Sequence, residues 1–326
     1  MGWKGTLRSI GAASRQMERQ SMRRSKELEK RRKLYEKMQE LERAAYEVDV
    51  YENYIDRMIS IHKDCGPNYD WPEILKKAPP SEPLREYGYE RIAKQNLDRY
   101  KPGFFDRIFK IEGKKRNRLE VKIEMAVKED EKIYNDQLKQ YKLVLDDYNE
   151  VQTITKNIIV GNPEYYEKAI NEFSPLAEIT EIGASLEYLF QSPKRIKIVL
   201  HVHGEQIIPK QIKSLLKSGK LSAKDMPIGR YNELYQDYVC SSTLRVGREL
   251  FALLPIEEVV VTAKGNILNQ STGRLEDQPL LSVFLIRETM NMINFELIDP
   301  SDCMKNFKHN MGFKKSVGMT AVSEVG

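Results

Sequence analysis

From residue 14 to residue 62 the chain contains neither glycine nor proline. Nothing in this stretch frees or locks the backbone, and Glu, Lys, Arg, Gln, Met and Leu predominate, so it is suited to one long helix. Within it Leu34, Met38, Leu41, Ala45 and Val48 recur at alternating steps of four and three. The series resumes at Ile55, Ile59 and His62. An average repeat of about 3.5 residues marks a left-handed coiled-coil seam.

A second such stretch covers residues 114–158, where Tyr134, Leu138, Tyr141, Leu145 and Tyr148 step in the same way and Val127 leads into the register. The two helices would be roughly 73 and 67 Å long at about 1.5 Å per residue. Matched lengths and matched seams predict a long antiparallel helical (coiled-coil) hairpin over residues 14–160. Residues 64–114, which include KDCGPNYDWP, APPSEP and YKPGFF, form its tip connector. Trp71, Phe104 and Phe105 are expected to cluster there. The alternative is that each seam pairs with a second copy, giving a homo-oligomer through the helical segments.

Gly161-Asn162-Pro163 stops the second helix. The composition then changes, and residues 161–326 read as a compact α+β domain with a mixed or antiparallel sheet. A helix is expected at 163–173. Strands at 184–191 and 195–203 flank Ser192-Pro193-Lys194 as a hairpin. In the second strand Ile196, Ile198, Leu200 and Val202 share one face, and Arg195, Lys197, His201 and His203 the other. A short helix is expected at 210–220 and a long one at 229–254, in which Gly247 admits another backbone. Strands at 257–263 and 280–288 form a second hairpin. Asp299-Pro300 caps a short helix running to about His309, and 315–322 supplies a last strand.

Charge is unevenly placed. Residues 1–33 carry eleven Lys/Arg against three acidic residues, whereas the whole chain sums to only +5. Residues 99–118 carry eight basic residues against two acidic. Such segments attract phosphate backbones and other anionic surfaces. In the basic N-terminal arm, residues 1–33, the candidate nucleic-acid contacts are Arg15, Arg19, Arg23, Arg24, Lys26, Arg31 and Arg32. Tyr100, Lys101, Phe104, Phe105, Arg107 and Lys110 mix aromatic and basic character. That mixture suits either a hydrophobic plug with a charged rim or stacking on bases.

Catalytic signatures are sparse. No GxxxxGK[ST], GxGxxG after a strand, or GxSxG occurs. No Glu-x-Lys of a metal-dependent nuclease follows the central strand. Three cysteines lie far apart without a CxxC pair, which fits a reducing compartment. No stretch reads as a signal peptide or membrane span, so a cytoplasmic setting is expected. Cys240 lies in an apolar helix pattern, where a cysteine is ordinarily a small hydrophobe rather than a nucleophile.

The one metal-like pattern is His201-x-His203-x-Glu205. Alternate residues of a strand project to one side, so His201 and His203 could hold a divalent ion. Glu205, Asp299, Asp302, Cys303 and His309 would be further ligands or a general base. The competing reading is the wet face of a half-buried strand. Together these features predict a non-enzymatic cytosolic coiled-coil protein that uses no cofactor and contacts nucleic acid or a protein complex through its arm. The alternative is a metal-dependent hydrolase, perhaps on phosphodiesters, built on His201 and His203.

Overall fold

A computed structural model describes residues 30–33, 39–104, 109–173, 185–269 and 272–326. Of the arm candidates, Arg15, Arg19, Arg23, Arg24 and Lys26 lie outside the described residues, as do Phe105 and Arg107. The described chain divides into two compact units, residues 76–153 and residues 30–75 with 154–326. It is α+β, with a mixed sheet.

In the first unit α4 (Glu112–Ile159) is one continuous helix, as its unbroken run of helix formers predicts. It extends beyond this unit into the second. A shorter helix, α3 (Gly88–Arg99), precedes it. The seam residues Tyr134, Leu138, Tyr141, Leu145 and Tyr148 are half-buried, and the connector supplies contacts along them. Tyr148 donates its hydroxyl to the Lys77 carbonyl (2.8 Å). The Arg85 guanidinium lies 5.9 Å from the Tyr134 ring. Asp130 accepts the Tyr89 and Glu90 backbone N–H groups (3.1 and 2.8 Å), satisfying orphan donors at the start of α3. The connector thus runs back along α4.

Helix α1 (Glu40–Ile59) belongs to the second unit. It buries Ala44, Val48, Ile55 and Met58, while Leu41 is 53 % exposed. The steps of four and three expected for a seam are present, but in the first turns the buried face is rotated away from Leu41 and Ala45. Packing decides this, because α1 lies on a β-hairpin and on the long central helix of this unit. That hairpin, β3 (Gln211–Leu215) with β4 (Leu221–Asp225), stands where a helix at 210–220 was expected. Ile212, Leu215 and Leu216 mimic helical spacing. The tight turn, with Gly219 at φ 81°, and the contact with α1 favour the hairpin instead. Lys213 pairs with Glu47 of α1 at 2.9 Å.

A short helix, α2 (Trp71–Leu75), follows α1. Trp71 is buried, donating its indole N–H to the Leu253 carbonyl (2.6 Å) and lying 5.7 Å from Tyr69 and 6.4 Å from Phe173, ring to ring. It is therefore part of this unit's core, whereas Phe104 is 75 % exposed.

After α5 (Pro163–Phe173) comes a six-stranded sheet in the order β1-β2-β5-β6-β7-β8. Its strands are β1 (Ser185–Ser192), β2 (Arg195–His201), β5 (Glu258–Asn269), β6 (Arg274–Ile286), β7 (Lys308–Lys314) and β8 (Gly318–Thr320). Every pairing is antiparallel except β2 with β5. The expected short helix after Asp299 is only α8 (Pro300–Cys303); the α7 turn (Arg287–Met292) precedes it. His309 lies on β7, not in a helix.

The central helix α6 (Ile228–Leu253) covers one face of the sheet, against Ile196, Ile198, Leu200, Val259, Val261, Val283 and Leu285, all fully buried. A Cβ on Gly247 would land on a Leu285 methyl, so this glycine admits a sheet side chain rather than a backbone. At the end of α4, Gly161 (φ 80°) leaves room for Pro193 in the β1–β2 turn. The outer face of the sheet is crossed by residues 322–325. Val325 donates its N–H to Ser282 Oγ (3.0 Å), Val322 donates to the Pro279 carbonyl (2.9 Å), and Glu324 meets Lys197 (2.6 Å) and Lys264 (3.8 Å).

Candidate functional sites

His201 ends β2 on the outer face, where the period-two pattern puts it. Its Nδ1 lies 3.1 Å from Asp277 Oδ2 and its Nε2 3.5 Å from Glu187 Oε1. The two carboxylates approach opposite ring nitrogens, so imidazole and acids do not converge on one point as metal ligands must. Strand β2 ends at His201, so the alternation does not carry on to its neighbours. The His203 backbone N–H donates to Tyr238 Oη (3.2 Å) and its carbonyl accepts the Tyr235 hydroxyl (2.9 Å). Glu205 begins a 3₁₀ turn (Glu205–Ile207) and is exposed.

The proposed outer ligands are engaged elsewhere. Asp299 caps α8, accepting the N–H groups of Ser301 (2.9 Å) and Asp302 (3.0 Å). Asp302 pairs with Lys305 (2.5 Å). His309 Nδ1 lies 3.0 Å from the Phe307 carbonyl, and Cys303 is buried. Among the described residues no group of three His, Cys, Asp or Glu is arranged to hold a metal ion.

Three arrangements in the second unit escape sequence reasoning. The first is His62, in the 3₁₀ turn Ile61–Lys63 and 1 % exposed. Ser241 Oγ accepts its backbone N–H (3.0 Å) and lies 2.8 Å from its Nδ1. A hydroxyl accepting from the backbone is free to donate to Nδ1, which matches the neutral ring. Burial, then the Lys63 and Arg248 cations, push His62 below its ordinary value. Arg248 fastens the turn by donating to the His62 and Lys63 carbonyls and lies over Phe295 at 4.1 Å.

The second is the Arg245–Glu249 pair (2.6 Å), with both side chains 3 % exposed, which also receives the Gly66 N–H on Glu249 (3.0 Å). The third is Asp237, pushed up to about 6 by burial and by the neighbouring Asp299, against the pull of Ser301 and Arg230. Burial acts on Asp299 in the same sense. The Ser301 hydroxyl and the capping N–H groups outweigh it and hold that carboxyl below its usual value.

One raised and one depressed carboxyl is a division that acid–base catalysis uses. Here Asp299 is committed to its cap. The nearby Cys240 thiol is pushed well up by burial and lies 3.6 Å from the Met311 sulfur, so it is a packing element and not a nucleophile. Ser241, Arg248 and Glu249 each tie α6 to the segment around His62–Gly66.

The remaining candidates are surfaces. Lys30, Arg31, Arg32 and Lys33 are exposed on a helical segment. Of the aromatic–basic set, Lys101, Phe104 and Lys110 are exposed, so Phe104 is not a buried plug. Among the described residues no helix is long and apolar enough to cross a membrane. Set against known proteins, the chain matches no family, no curated protein and no solved structure.

Proposed function

We propose that this is a non-enzymatic cytosolic protein that binds nucleic acid, alone or within a nucleoprotein assembly, through the phosphate backbone and by way of its basic N-terminal arm. The observation that carries this reading is the run Lys30-Arg31-Arg32-Lys33, four consecutive exposed cations closing a stretch of eleven Lys/Arg against three acidic residues. Contacts of this kind position a protein on nucleic acid without reading sequence. The long helices are supports in this reading, as a coiled-coil hairpin or paired between copies. The metal-dependent hydrolase has no comparable support, because the polar groups near His201 do not converge and those near His203 are backbone contacts.

Replacing Arg15, Arg19, Arg23, Arg24, Lys26, Arg31 and Arg32 by Gln in the full chain tests the arm. Retention on random-sequence duplex should fall, and the plot of log affinity against log salt should lose about 0.9 of slope for each phosphate contact removed. An unchanged salt curve sinks the reading.

A further inference from the structure

Helix α4 sorts its charges by face. At about 3.6 residues per turn, Lys114, Arg118, Lys122, Lys128 and Lys132 fall on one side, all exposed. Val121 and Met125 lie between them, 50 % and 65 % exposed. Leu119, Ile123, Ala126 and Val127 are half-buried on the opposite side, and Asp130, buried there, caps α3. Packing within residues 76–153 therefore turns the basic side outward.

The acids are kept off this side. Glu120, Glu124 and Glu131 lie on a flank, where Arg116 pairs with Glu120 at 3.5 Å. Glu129 alone interrupts the basic face. None of its five cations is in an ion pair among the described residues. A merely solvated helix gains from mixing signs at i,i+4. Along Lys114, Arg118 and Lys122 the i,i+4 neighbours instead share one sign over roughly 12 Å of helix, and only further on does an acid, Glu124, stand four residues before a cation, Lys128.

We infer that the outward face of α4 is a second nucleic-acid contact surface, independent of the arm, for the phosphate backbone of a duplex. The inference rests on the nucleic-acid reading above but uses different residues. Lys114, Arg118 and Lys122 are spaced by about 6 Å each along the axis. That gives a row of cations slanted across the helix face, turning by about 40° per step, against a partner carrying one phosphate per roughly 3.4 Å on each strand. Two apolar side chains are too few for an interfacial membrane helix, which needs a continuous apolar face.

The test uses the full chain and a random-sequence duplex of about 30 base pairs, with affinity measured over a salt series. In Lys114→Gln/Arg118→Gln/Lys122→Gln, the log–log salt slope should become shallower by about two to three, and affinity at 0.1 M salt should fall more than tenfold. The same decrement should appear when the seven arm residues are already Gln. Glu120→Gln/Glu124→Gln should not weaken binding. Gln is a good helix former at exposed positions, so α4 should persist, with circular dichroism as the check. If the triple variant leaves duplex affinity and slope unchanged, the inference fails, whether or not the arm variant binds. It also fails if the triple variant loses only binding to vesicles containing phosphatidylserine. If the triple variant weakens binding while the arm variant does not, the face stands and the arm reading falls.

Discussion

The two units of this chain keep their polar groups in opposite ways. In the unit around the sheet, α6 buries most of its length, including Arg245, Glu249, Asn232 and Ser241, and each of these holds a partner segment or a neighbour. In residues 76–153, the described residues that are buried are Asp130 and Val151, and α3 buries nothing. Residues 76–153 are nearly all surface; the unit around the sheet is a core with a surface. Changes should therefore be felt as stability in the unit around the sheet and as binding in residues 76–153.

The largest effect is expected from breaking the buried ion pair. Arg245→Met leaves Glu249 charged, buried and uncompensated, and should cost about 3–5 kcal/mol in denaturant unfolding followed by tryptophan fluorescence, since Trp71 lies in this core. If the same measurement changes by less than about 1 kcal/mol, the two units are less different than their burial implies. Next comes Gly247→Ala, whose added methyl meets Leu285; overpacking there should cost about 1–3 kcal/mol. A neutral result would mean that β6 yields where it looks rigid.

The pH dependence follows from His62. Its folded value lies below the ordinary 6.5, so the unfolded chain takes up the proton first and stability falls as pH drops below about 6.5. Asp237 acts in the opposite sense. Raised from 3.8 to about 6, it holds a proton that the unfolded chain has lost, so its contribution falls as pH rises from about 4 to about 6. Unfolding free energies from pH 7.5 to 5 should therefore separate the variants. His62→Asn should lessen the acid-side loss, and Asp237→Asn should raise stability at neutral pH. Superimposable pH profiles would exclude His62 as the source.

Smaller effects belong to the other unit and to the outer face. Asp130→Ala removes two contacts at the start of α3 and should cost about 1 kcal/mol. The loss should appear as faster amide exchange at Tyr89 and Glu90 without change in the sheet. Protection lost in both units alike would break the contrast between them. Glu324→Gln should change stability by less than about 1 kcal/mol, because its ion pairs are partly exposed.

Local pattern was legible wherever a single face decided the element. The alternation of Ile196, Ile198 and Leu200 predicted β2, its inward face and the position of His201, and Gly161 with Pro163 marked the end of α4. Helix α6 was legible within a residue at each end. Two spacings misled. Ile212, Leu215 and Leu216 suit a helix or a hairpin, and contact with α1 selected the hairpin. The Leu41–Ala45–Val48 series kept its steps, but α1 buried Ala44 in place of Leu41 and Ala45 because it packs on the β3–β4 hairpin and on α6.

The candidate sites divide the same way. His201-x-His203 could be seen in sequence as a spacing, but whether polar groups met it depended on β1 and β6, over 70 residues apart between Asp277 and His201. His62 stood in the seam series, but nothing in the sequence announced that Ser241 would meet it or that Asp299 would lie beside the half-buried Asp237, because these partners come from distant segments.

The sequence by itself determined the helix-forming runs, the strand with its two faces and the placement of net charge. All of these follow from residues a few positions apart, through backbone propensity and period. Only the tertiary structure decided which face each run buries, which acids cap or pair, and that α4 turns its lysines and Arg118 outward. Those outcomes depend on which distant surface removes a side chain from water, and burial is a property of the assembled chain.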